Sequence, residues 1–67
     1  MNQEITLHNV CHTFEIEPHD CYFLKDDPKT FCVLLDCKSQ AIKVANRIKG
    51  EYRPNGKGFY EVFKKTV

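Results

Sequence analysis

The sequence predicts an α+β fold: an antiparallel or mixed β-sheet of four to five strands with one helix packed on one face, in the order β-β-β-β-α-β. Three observations carry this expectation. Apolar residues recur at helical spacing between Ser39 and Gly50, several short segments alternate or run apolar over strand lengths, and Gly, Pro, Asn and Asp separate them.

The first strand is read from Glu4 to Val10, where Ile5 and Leu7 alternate with Glu4, Thr6 and His8. A second is read from Thr13 to Glu17, with Phe14 and Ile16 opposite Glu15 and Glu17, and Pro18 ends it because it cannot donate to a ladder. Cys21–Lys25 and Thr30–Asp36 form the next pair, joined by the turn formers Asp26-Asp27-Pro28-Lys29. In Phe31-Cys32-Val33-Leu34-Leu35 both parities are apolar, as in a strand covered on both faces.

The helix follows. Ser39 is placed as its N-cap and Gly50 as the left-handed residue after its end. Ala41, Ile42, Val44, Ala45 and Ile48 share one side; Gln40, Lys43, Asn46 and Arg47 share the other. Glu51 to Gly58 reads as a loop with a short paired segment at its start, and Phe59 to Lys65 as the final strand. One helix covers one sheet face. The apolar residues of the other face call for a second copy of the chain, a partner, or the first hairpin folded back over them.

At 67 residues the chain is expected to be a single domain, residues 1–67, close to the lower limit for independent folding. Carving a cavity of ~300 Å³ from so small a core would remove much of what holds it together, so an enzyme is not expected. With 42% hydrophobic and 28% charged residues, the composition is that of a folding chain rather than a disordered one. No apolar run reaches the ~18 residues of a membrane span, and the polar start Met1-Asn2-Gln3-Glu4 lacks the pattern of a secretory signal. The expected location is therefore cytoplasmic, which makes Cys11, Cys21, Cys32 and Cys37 free thiols.

Catalytic and metal chemistry find little support. His8-x₂-Cys11 with His19-x-Cys21 is the nearest approach to a zinc set, but it is not a standard spacing, and no metal or cofactor is expected. Cys11 and His12 are sequence neighbours that point apart on a strand, Asp26 and Asp27 belong to a turn, and Asn55-Gly56-Lys57-Gly58 follows a helix where a phosphate loop would precede one.

Charge is the remaining signal. The net charge is only +1, yet residues 1–37 hold two lysines against seven carboxylates, and residues 38–67 hold eight cations against two carboxylates. Lys43, Arg47, Lys49, Arg53, Lys57, Tyr60 and Lys64 are the candidate partner-binding residues. Bases interleaved with Tyr52, Phe59, Tyr60 and Phe63 suit nucleic acid, whose phosphates take cations and whose bases stack on rings. Acidic protein surfaces are the other target for the same charges.

The run from Phe31 to Val62, with Asp36-Cys37-Lys38-Ser39-Gln40-Ala41-Ile42-Lys43-Val44-Ala45 and the closing Gly58-Phe59-Tyr60-Glu61-Val62, resembles small phage-encoded inhibitors of host machinery. These are the inhibitor of host RNA polymerase from T7-like phages and small anti-CRISPR proteins. About half the chain is covered, and the acidic helix of the polymerase inhibitor is replaced here by Lys43, Arg47 and Lys49. The resemblance implies a non-enzymatic inhibitor of a host protein or nucleoprotein complex, and no functional residue is carried over. The alternative is a small nucleic-acid-binding regulator using the basic C-terminal half; either could act as a homodimer.

Overall fold

A computed structural model describes residues 3–65. Residues 1–2 and 66–67 of the expected domain lie outside this range. The order is α1 (Gln3–Thr13), β1 (Asp20–Phe23), β2 (Phe31–Leu35), α2 (Lys38–Ile48), β3 (Glu51–Pro54) and β4 (Tyr60–Phe63). The strands form one antiparallel sheet in the order β1-β2-β4-β3. The α+β class and the four-stranded antiparallel sheet agree with the sequence reading. The order β-β-β-β-α-β and the single helix do not.

The difference lies at the N-terminus, where α1 replaces the expected strands Glu4–Val10 and Thr13–Glu17. Leu7, Val10, Cys11 and Phe14 stand at i, i+3, i+4 and i+7, a helical stripe that competes with the short alternation of Ile5 and Leu7. The stripe wins because it has somewhere to go: Leu7 and Cys11 are buried against α2 and β2, with Val10 and Phe14 packed at their margin. Glu15, at φ 57°, reverses the chain after α1, and Ile16 drops back into the same core.

β1 and β2 form the expected hairpin, in the register Tyr22↔Cys32. Asp27 closes its turn: its carbonyl accepts the Thr30 N–H at 2.9 Å and its carboxylate accepts the Thr30 hydroxyl at 2.6 Å. All five residues of β2 are buried, as its two-parity apolar pattern predicts. Phe31, Val33 and Leu35 meet both helices; Cys32 and Leu34 lie on the opposite sheet face.

α2 forms where the periodicity places it, burying Ala41, Val44, Ala45 and Ile48. Its ends differ from the expected caps. The N-cap is Cys37 rather than Ser39, and no side chain caps the helix. The left-handed residue is Lys49, at φ 56°, rather than Gly50. Gly50 is required for a separate reason: a Cβ there would stand 2.3 Å from the Phe63 carbonyl oxygen, so the glycine lets the chain leaving α2 pass close to β4.

Both sheet edges are blunted. The Cys21 N–H on β1 is taken by the Asp20 carboxylate at 2.8 Å, and β3 ends in Pro54, which has no N–H to offer.

Candidate functional site

The two helices occupy one side of the sheet, so the molecule presents two broad surfaces: the outer side of the helix layer, and the sheet face that no helix covers.

On the helix side, burial of Ala41, Val44, Ala45 and Ile48 turns Lys43 and Arg47 outward, one helical turn apart. Lys38 and Lys49, at the two ends of the element, are exposed as well. α2 contains no acidic residue, and among the described residues none of these four cations makes an ion pair. Lys43 lies with its Nζ 5.3 Å from the centre of the Phe14 ring, which settles its stem against α1 while the ammonium stays accessible.

The uncovered sheet face carries Cys32, Leu34 and Phe63, all buried although no secondary element lies over them. Side chains from the sheet itself do the covering. Tyr22 and Leu24 pack against Cys32 and Phe63, and the Arg53 guanidinium sits 5.2 Å above the Phe63 ring. A polar network ties this cover down. The Tyr22 hydroxyl donates to Glu61 Oε2 at 2.6 Å, Arg53 Nε donates to Glu61 Oε1 at 2.8 Å, and Arg53 Nη1 and Nη2 reach Asp26 at 3.4 and 3.2 Å. Neither a second copy nor a folded-back hairpin is needed to cover the face.

The electrostatics follow the network. Burial alone would raise the Glu61 pKa, but the hydrogen bonds from Tyr22 and Arg53 outweigh it and hold the carboxyl below its usual range. Asp26 is lowered by its hydrogen bonds from Arg53, and Arg53 is raised by Asp26 and Glu61. Burial, followed by the bond to Glu61, raises Tyr22. Burial also pushes the Cys32 thiol up to about 11.

The seven residues singled out from the sequence therefore do not form one site. Lys43 and Arg47 lie one turn apart on α2, and Lys49 follows at its C-terminal cap. Arg53 belongs to the opposite face and is committed to Glu61 and Asp26. Lys57 borders a groove on that same face, Tyr60 packs half-buried against the core beneath the helices, and Lys64 is exposed just beyond β4. The aromatics expected to interleave with the bases are largely occupied: Phe63 is buried, Phe59 stacks on His19 at 4.4 Å, and Tyr60 meets Tyr52 edge-on at 6.4 Å. Sequence reasoning missed Tyr22, Asp26 and Glu61. Glu61, alternating with Val62 between Phe59 and Phe63, was the available signal that a carboxylate shares a sheet face with apolar residues.

A second depression, of about 380 Å³, lies at the end of α1 beside His8, Cys11, His12 and Glu15. Cys11 is buried, which raises its thiol pKa and disfavours the nucleophilic thiolate, while the neighbouring His12 is exposed. Among the described residues, no group of three or more His, Cys, Asp or Glu is arranged to hold a metal ion, and no disulfide joins the cysteines. No described helix is long and apolar enough to cross a membrane. No protein-family model, curated protein or solved structure matches the chain.

Proposed function

We propose that the chain is a small non-enzymatic binding protein that docks the basic outer face of α2 onto an acidic surface of a larger protein or nucleoprotein complex. In this reading it acts as a phage-type inhibitor in the host cytoplasm. The observation that carries it is that Lys43 and Arg47, one turn apart on the outer side of α2, are exposed together with Lys38 and Lys49 at its two ends, while the helix has no carboxylate of its own. Apart from the contact of Lys43 with the Phe14 ring, these charges have no partner among the described residues, and their exposure favours a partner of opposite sign.

A protein surface is favoured over nucleic acid because the rings that would stack on bases are engaged within the fold. Phe63 is buried, Phe59 is stacked on His19, and Tyr60 is packed against the core. The cover over Cys32, Leu34 and Phe63 likewise removes the apolar face that would have drawn a second copy.

The deciding experiment measures binding to random-sequence duplex and single-stranded DNA at about 50 and 200 mM salt, beside capture from bacterial lysate. The proposal expects stoichiometric capture of one host complex, lost when α2 is charge-reversed, with little DNA affinity. Tight DNA binding that falls steeply with salt, without such capture, would establish the nucleic-acid regulator instead.

A further inference from the structure

The uncovered sheet face holds a groove of about 530 Å³, bordered by Phe23, Lys25, Asp26, Arg53 and Lys57 among others. The two sides of the Arg53 guanidinium are unequally engaged. Its Nε is fixed to Glu61 at 2.8 Å, and that carboxylate is well shielded, its side chain 14% exposed. Among the described residues the edge formed by Nη1 and Nη2 is met only by Asp26, at 3.4 and 3.2 Å, from a turn where the Asp26 side chain is 62% exposed. Two parallel N–H groups on a planar guanidinium match one carboxylate. The groove therefore contains a carboxylate-binding edge already occupied, loosely, by a carboxylate of the same chain.

The surroundings suit a ligand of the same chemistry. Lys25 and Lys57 are exposed along the groove, so three cations face two carboxylates while Asp26 is docked, and one once it swings out.

We infer that this groove is a docking site for an acidic peptide segment of a partner, whose aspartate or glutamate displaces Asp26 from Arg53. Asp26 is then an internal competitor that sets the threshold for binding. The site lies on the opposite side of the sheet from α2 and stands independently of the function proposed for that helix.

The test is fluorescence anisotropy with a labelled, C-terminally amidated peptide Gly-Ser-Leu-Asp-Leu-Ser-Gly and its counterpart with Asn in place of Asp. The Asp peptide should bind the wild type and the Asn peptide should not. Asp26→Asn should tighten binding by about two- to six-fold, the range set by the occupancy of an exposed ion pair. Glu15→Gln makes the same charge change on the helix side and should leave affinity unchanged; Lys57→Glu should weaken it. Circular dichroism confirms that each variant is folded. Equal affinities of wild type and Asp26→Asn, equal tightening by Glu15→Gln, or no binding of the Asp peptide to Asp26→Asn would overturn the inference.

Discussion

The Arg53 guanidinium lies 5.2 Å above the Phe63 ring while its Nε donates to Glu61, so one side chain both covers an apolar residue and neutralises a carboxylate beside it. Replacing it by methionine would keep an apolar stem over the ring and remove the charge. With Arg53 41% exposed, the lost pairing is discounted for solvent, and Arg53→Met should destabilise by about 1–2 kcal/mol in urea denaturation. A midpoint equal to that of the wild type would mean that the cover contributes nothing to stability.

Glu61 gives the fold an acid sensitivity with a defined sign. Its folded pKa is depressed, so its contribution is complete above the ordinary carboxylate value of about 4.3 and is lost as pH falls through the folded value. The difference in thermal midpoint between wild type and Glu61→Gln should be constant above about pH 5 and shrink towards pH 3. A difference that stays constant through that interval would show that Glu61 is not held ionised by Tyr22 and Arg53.

At Gly50 the argument is steric. A methyl group there meets the Phe63 carbonyl at 2.3 Å, and either α2 or β4 must move. Gly50→Ala should cost about 1–3 kcal/mol, as overpacking does. A neutral or stabilising substitution would show that the close approach relaxes freely.

The four cysteines should separate by reactivity. The hydrogen bond with the Ser39 hydroxyl, at 3.0 Å, holds the Cys37 thiol below its usual pKa; burial raises Cys11 and Cys32. Timed iodoacetamide labelling of the native protein, read by mass spectrometry, should modify Cys37 first and reach Cys11 and Cys32 only on unfolding. Ser39→Ala should slow Cys37. Early labelling of Cys32 would contradict its burial.

How far the sequence could be read depends on the range of the interactions. α2 was legible because its stripe, Ala41, Val44, Ala45 and Ile48, repeats locally, and its outward cations follow from the same repeat. β2 was legible from five apolar residues in a row. In α1, Ile5 and Leu7 satisfy a strand while Leu7, Val10, Cys11 and Phe14 satisfy a helix, and only the tertiary partners decide between them. The network on the sheet face was not legible, since it joins Tyr22 to Glu61 across 39 residues and Asp26 to Arg53 across 27, through a strand order that no local pattern encodes.

The central claim is that the outer face of α2 is the working surface, and the double substitution Lys43→Glu with Arg47→Glu tests it most directly. Both residues are exposed and neither makes an ion pair among the described residues; losing the Lys43–Phe14 contact costs about 0.5–1 kcal/mol, so circular dichroism should stay that of the wild type with only a small fall in the denaturation midpoint. The account predicts that the folded variant loses the host complex captured by the wild type, because reversed charges now face an acidic surface. Capture equal to that of the wild type by the folded variant would contradict it.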